Sequence, residues 1–243
     1  MRVALISDLH ANEPALEAVL RDTRVQGVDQ VVCLGDVATL GPRPDEILAR
    51  LRDLGCVCIL GNHDEFLFDE ALIHNHTEAP VIIDSVDWCR SRVSAADLDF
   101  VRGFHRTWAL PLEGETSLFL FHGSARSNME DLLATTPPEL VDEMLAGRRA
   151  AVLAGGHTHV QMLRQHRGML IVNPGSVGLP FREYTHGGPP TLLPDAEYAI
   201  VEASRAGVTV TLRRVPVDRE LLRASVAGSD LPLAPMLRAQ YTA

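Results

Sequence analysis

Polar side chains stand just beyond short apolar runs of this sequence: Asp8 and His10, Asp36, then Asn62, His63 and Asp64, then His122, then His157 and His159. Carboxylate, imidazole and amide donors in one set suit a borderline or hard divalent metal. The i, i+2 spacings of Asp8 with His10 and His157 with His159 let two side chains of one extended segment project to the same side. Glycines at 35, 61, 123 and 156 permit the sharp turns and close backbone approach that such a cluster requires. Asp8, Asp36 and Asn62 taken singly read as turn or helix-cap residues. Histidines at the matching places His10, His63, His122, His157 and His159 favour a metal site over capping.

Such a cluster needs elements to carry it. Apolar or β-branched runs at 3–6, 31–34, 57–60, 118–121, 151–154, 170–172, 198–201 and 208–215 read as strands. Helical patterns cover 15–25, with Pro14 near the start, and 44–54, with Ile47, Leu48 and Leu51 on one face. Equivalent strand ends fall at Asp8, Asp36 and Asn62, steps of 28 and 26 residues. That spacing suits successive β-α-β units with parallel strands, whose ligands gather beyond the carboxyl ends of the strands. From 65 to about 108 the pattern is helical, with start signals at Thr77 and Ser94, and reads as an insertion. A further helix is expected at 137–145. The tail from Gly228 onwards, with Pro232 and Pro235, has no clear period and reads as a docked arm or a loose end. The expectation is a single domain over 1–243, with the insertion at 65–108 and the tail at 228–243.

Composition narrows the classes. With 243 residues, 46% of them hydrophobic and 22% charged, the chain can bury roughly 70–75% of its unfolded surface without staples. Disordered, collagenous and miniprotein classes are excluded. Against 32 acidic side chains stand 22 basic ones, a formal charge of −10 with no basic run, which argues against a nonspecific nucleic-acid binder. The apolar stretch before Asp8 is too short for a signal h-region or a membrane span, so a cytoplasmic protein without a membrane anchor is expected. Cys33, Cys56, Cys58 and Cys89 lie in apolar or helical stretches and read as reduced core thiols.

In order and local context, Asp8-x-His10, Gly35-Asp36, Gly61-Asn62-His63-Asp64, His122-Gly123 and Gly156-His157-Thr158-His159 resemble the five motifs of the calcineurin-like metallophosphoesterases. The resemblance runs from residue 2 to about Ser176. Gly41-Pro42-Arg43-Pro44 and Asn173-Pro174-Gly175-Ser176-Val177-Gly178 look like its small bacterial and archaeal phosphodiesterase branch. It implies an α/β fold of two stacked mixed β-sheets flanked by helices, a four-layer sandwich with a small helical insertion. It also implies two divalent ions, Mn, Fe, Zn, Ni or Co. Asp8, His10, Asp36 and His159 would hold the first, and Asn62, His122 and His157 with the bridging Asp36 the second. A carboxylate and a hydroxide between two dications would offset their repulsion, and the pair would depress the pKa of that water. His63 would then be the general acid toward the leaving oxygen, with Asp64 or another carboxylate fixing its tautomer.

Other residues have ordinary readings beside functional ones. Asn12 reads as the cap of the first helix or as a substrate contact. Arg43, Arg126 and Arg182 follow motif loops and could meet phosphate, although surface placement is the commoner fate of arginine. His74, His76, His105, His166 and His186 lack a partnered motif; His76 could reach the pocket from the insertion. Phe66, Phe68 and Trp88 read as core or as pocket lining.

Three functions share this pattern. The first is a phosphodiesterase for a small phosphate ester. The alternative is a phosphomonoesterase of protein Ser/Thr phosphatase or dinucleoside polyphosphate hydrolase type, and the third a noncatalytic scaffold. After Asp36 the sequence reads Val37-Ala38-Thr39-Leu40-Gly41 where the protein phosphatases carry an acid followed by arginine. A diester monoanion needs less positive charge than a monoester dianion, so this tilts the reading towards diesters. The presence of His63 with every proposed ligand weighs against the scaffold. Substrate identity, metal identity and oligomeric state are open at this stage.

Overall fold

The computed structural model describes residues 1–113, 116–185 and 187–242. His186, one of the unpartnered histidines of the sequence, lies outside the described residues. From β1 (Arg2–Ile6) the chain passes through α1 (Glu13–Val25) to β2 (Gln30–Cys33), then through α2 (Pro44–Leu54) to β3 (Val57–Cys58). Next come α3 (Asn62–Phe66), α4 (Ala71–His76), α5 (Pro80–Arg90) and α6 (Ala95–Arg102), before β4 (Trp108–Pro111) and β5 (Ser117–Leu120). α7 (Pro138–Met144) precedes β6 (Val152–Ala154), β7 (Met162–His166) and β8 (Met169–Asn173). A long hairpin of β9 (Asp195–Ser204) and β10 (Gly207–Pro216) leads to α8 (Arg219–Val226) and α9 (Ala234–Thr242).

Two five-stranded mixed sheets result, ordered β10-β9-β1-β2-β3 and β4-β5-β6-β8-β7. In the first, β1, β2 and β3 are parallel, with Val3 opposite Gln30 and Cys33 opposite Cys58, while β9 and β10 run antiparallel. The second has a parallel centre of β5, β6 and β8 with antiparallel edges β4 and β7. Strand alternation divides the core. Val3, Leu5, Val32 and Leu34 face the gap between the sheets, where they meet Leu118, Leu120, Val152 and Val172. Ala4, Ile6 and Cys33 face outward and are covered by Leu16, Val19, Leu20, Ile47, Leu48 and Leu51 of α1 and α2. On the far side α7 places Val141 and Met144 over Phe119, Leu153 and Ile171. The order helices, sheet, sheet, helix is the four-layer sandwich that the resemblance implies. Each fully buried Leu or Ile stabilises it by roughly 1.5–3 kcal/mol.

Helix ends follow their local chemistry. Asn12 Oδ1 accepts from Ala15 N–H at 3.3 Å to open α1, and Gly55, at φ 58°, closes α2 in the left-handed conformation. Ser94 and Asp97 form a reciprocal cap on α6.

Several elements differ from the sequence reading. β4 and β7 are edge strands that the sequence reading does not separate: β4, Trp108-Ala109-Leu110-Pro111, is four residues long, ends in proline and directly follows the helical insertion, and β7 carries Arg164, Gln165 and His166 instead of a continuous apolar run. α5 starts from Ala79, with Pro80 in its first turn, and not from Thr77. The tail at 228–243 is docked: Leu231 and Leu233, in the turn before α9, and Leu237 and Tyr241 of α9 are buried with Leu222 and Val226 of α8 against the α1 side of the first sheet. Trp88 Nε1 donates to Asp230 Oδ1 at 2.8 Å, tying α5 to the tail. Cys33, Cys58 and Cys89 are buried, but Cys56 is only half-buried, with its sulfur 3.8 Å from that of Cys58.

Candidate metal centre

The parallel strands of both sheets end at one edge, and their final turns cross there. Asp8 N–H donates to Gly35 O at 2.9 Å and His10 N–H to Asp36 O at 3.0 Å, so the loops after β1 and β2 are stitched together. Gly178 N–H and the Ser176 hydroxyl both reach Asp8 O, which clasps the segment after β8 onto the same edge. These turns are strained. Asp8, His10, Asp36, His157 and His159 all adopt positive φ, between 43° and 69°, a conformation that costs a residue with a Cβ roughly 1–2 kcal/mol. Strain at five clustered positions marks a site whose geometry the surrounding fold enforces. Gly35, at φ 105°, has no alternative, since a Cβ there would meet Gly61 N at 2.6 Å.

Those backbones aim the side chains at one another. Asp8, His10, Asp36 and His159 form one group that could hold a metal ion, and Asp36, His122 and His157 form another; within each, the donor atoms lie within 4.8 Å of one another. Asp36 belongs to both. His10 Nε2 lies 3.0 Å from His159 Nε2, which in turn is 3.3 Å from Asp8 Oδ1. His122 Nε2 sits 3.4 Å from Asp36 Oδ2 and 3.1 Å from Asn62 Oδ1. His122 Nδ1 is held by Leu34 O and His159 Nδ1 by Leu179 O, each at 2.7 Å. Those carbonyls turn the Nε2 atoms inward, as metal-binding imidazoles require.

Electrostatics are severe at this edge because all of these groups except His157 are buried. Burial alone would lift the Asp36 carboxyl, yet His122, His63 and His10 outweigh it and hold Asp36 well below the carboxylate range. Asp8 is also held low, by His159 against burial. Burial works against a charge on His122 too, but Asp36 and Asp8 push it up to about 10. Burial and His159 bring His10 down to about 4, and burial with His10 and His76 takes His63 well below its usual value.

The donor set fits a divalent cation. Two imidazole Nε2 atoms 3.0 Å apart cannot both carry protons, and Asp8 Oδ1 and Asn62 Nδ2 are buried without a hydrogen-bond partner among the described residues. A cation among the nitrogens and carboxylates would replace proton sharing that the present geometry leaves incomplete.

Asp64 serves the backbone. Its Oδ2 accepts from Asp36 N–H and Gly61 N–H at 2.9 Å and its Oδ1 from Val37 N–H at 2.8 Å; burial and Asp36 nevertheless raise it to about 7. The group on His63 Nδ1 is therefore not Asp64 but the buried hydroxyl of Thr39, at 3.0 Å. Asn12 is committed to capping, its amide also donating to Gly178 O at 2.9 Å. Arg126 turns to Glu130, with Nη2 at 2.7 Å from Oε1. Arg182 is 61% exposed and 3.5 Å from Glu183, and Arg43 pairs with Glu46 at 2.6 Å. None of the three is brought onto the metal-capable groups. Phe66 is buried with its ring 4.9 Å from that of His63. His105 stacks on Trp108, and His166 pairs with Asp142.

Sequence reasoning missed two neighbours and left a third open. Asp131 Oδ1 lies 3.3 Å from His157 Nε2, and Tyr184 donates to Asp131 Oδ2 at 2.5 Å. Neither sits in a motif, and no spacing signal marks them. His76, at the end of α4, does reach the edge: its ring is 5.6 Å from His63 and 6.5 Å from His157.

Comparison with known proteins places this arrangement. The model of the calcineurin-like phosphoesterase superfamily domain matches residues 1–197. Phosphodiesterase YfcE of Escherichia coli is 27% identical over 190 residues, 74% of this chain and 81% of that protein. The uncharacterized protein MJ0912 of Methanocaldococcus jannaschii is 26% identical over 193 residues, 73% of this chain and 76% of its own. Among solved structures, a metallophosphoesterase from Sphaerobacter thermophilus matches with a TM-score of 0.73 and 27% identity, over 99% of this chain and 100% of that one. Protein PH1004 of Pyrococcus horikoshii shares the fold, with a TM-score of 0.79 at 19% identity over 97% of both chains. The chain belongs to the calcineurin-like phosphoesterase superfamily and is a phosphoric ester hydrolase.

Proposed function

We propose that this protein hydrolyses small phosphodiesters at a two-ion centre bridged by Asp36. The observation that carries the reading is the membership of Asp36 in both metal-capable groups, supported by the likeness to phosphodiesterase YfcE. Asp8, His10, Asp36 and His159 would hold one ion, and Asp36, Asn62, His122 and His157 the other. Ions bound there would supply Lewis-acid charge to the phosphate oxygens and an acidified water as nucleophile.

The protein's own part is positioning and proton transfer. Carbonyls of Leu34 and Leu179 fix the tautomers of His122 and His159. His63 carries no ligand role; its Nδ1 is occupied by Thr39, which leaves Nε2 for the leaving oxygen. Burial disfavours a charge on the free ring, so it would give a proton there once the negative charge of a bound phosphate stabilises its protonated form.

Charge favours diesters. The chain contains no lysine, and Arg126 faces Glu130 rather than the cluster. The half-exposed Asp131 carboxylate stands beside His157. A monoester dianion would meet this carboxylate with no guanidinium paired to it among the described residues, whereas a diester presents one charge less.

The test is parallel hydrolysis of bis(p-nitrophenyl) phosphate and p-nitrophenyl phosphate by manganese-loaded protein. A higher kcat/KM on the diester is expected. Preference for the monoester, or no turnover of either by metal-loaded protein, would overturn the reading.

A further inference from the structure

His157 is oriented unlike its neighbours. His122 and His159 each offer Nδ1 to a backbone carbonyl and turn Nε2 to the cluster. In His157 it is Nε2 that is occupied, by Asp131 Oδ1 at 3.3 Å, so Nδ1 is the ring nitrogen left for a cation. The backbone of His157 is pinned separately, its N–H donating to Asp8 Oδ2 at 3.1 Å.

Asp131 is 44% exposed, and an isolated pair in that setting is weak. It is not isolated. The Tyr184 hydroxyl donates to Oδ2 at 2.5 Å, across 53 positions of sequence. Asp131 follows β5, and Tyr184 follows β8. Two residues that are not themselves motif positions, one after each strand, thus converge on the far side of one imidazole.

We propose that Asp131, held by Tyr184, is a positioning residue that fixes the tautomer and aim of His157 for the second ion. A carboxylate on the far nitrogen of a metal-binding imidazole keeps the proton there, leaves the other nitrogen's lone pair free and makes it more basic. Orientation that depends on a half-exposed carboxylate makes the second ion the more easily lost of the two. The inference rests on the reading that Asp36, Asn62, His122 and His157 hold that ion.

Titration of metal-free protein with Co2+ tests it, following the visible absorption and the affinity of each equivalent by chelator competition. Wild type should take two equivalents. Asp131→Ala should bind the first as wild type does and the second roughly 10–100-fold more weakly, with an altered visible spectrum. Tyr184→Phe should shift the second equivalent in the same direction by less, and Asp131→Asn, which keeps an acceptor for His157, should recover part of the loss. Wild-type affinity and spectrum for both equivalents in Asp131→Ala and Tyr184→Phe would overturn the proposal while leaving the two-ion reading intact. Fewer than two equivalents in wild type would overturn that reading, and the proposal with it.

Discussion

Thr39 Oγ1 lies 3.0 Å from His63 Nδ1, and both side chains are buried. The ring assigned to proton transfer is therefore steered by a neutral hydroxyl. Thr39→Val, nearly isosteric, removes that partner while filling the same space. It should lower kcat by about 10–100-fold through misplacement of the ring, with metal content unchanged, and Thr39→Ser should restore most of the rate. Wild-type turnover in Thr39→Val would show that His63 does not depend on this contact.

His63→Ala should retain bound metal and lose most activity where the leaving group is a poor one. The expected loss is about 100-fold or more on an alkyl ester and much smaller on a p-nitrophenyl ester, whose leaving oxygen needs no proton. Equal losses on the two esters would argue for a binding role.

The ring of His76 stands 5.6 Å from His63 and 5.5 Å from Phe66, and its side chain is exposed at the mouth of the site. Truncation should act on substrate fit. His76→Ala is expected to raise KM for a bulky diester about fivefold, near 1 kcal/mol, with little change in kcat. Steady-state kinetics on methyl and aryl diesters would check this, and an effect confined to kcat would contradict it.

Away from the centre, Glu197 is buried, with one oxygen 2.8 Å from Arg214 Nε and the other without a hydrogen-bond partner among the described residues. Burial lifts its carboxyl to about 7 against the pull of Arg214. The folded state then holds this proton more tightly than the unfolded state does. Its contribution is present below the ordinary value of 4.5 and is lost as pH rises through about 7. Glu197→Gln should flatten the fall in melting temperature across that window. A pH–melting profile parallel to wild type would contradict the assignment.

Much of this molecule can be read from the sequence, because its site follows its strands. A strand buried on both faces needs an unbroken apolar run, so the polar residue that ends it stands out: Ile6 before Asp8 and Leu34 before Asp36 are examples. Positions such as Thr39, Asp131 and Tyr184 offer no such contrast. They lie in irregular segments, and their partners are distant in sequence, so only the fold reveals them. α9 was obscured for another reason, since Pro232 and Pro235 interrupt any period although the segment still docks through Leu233, Leu237 and Tyr241. Arg126 shows the converse: it follows a motif closely, yet Glu130 four residues on captures it.

The central claim is that Asp36 joins two ion sites, and counting bound metal tests it most directly. Metal-free wild type and Asp36→Asn would be loaded with Mn2+, passed through a desalting column and assayed by elemental analysis. The account predicts close to two ions per chain for wild type and loss of both from the variant, because each group forfeits the same carboxylate. One ion in wild type, or two retained by Asp36→Asn, would contradict it.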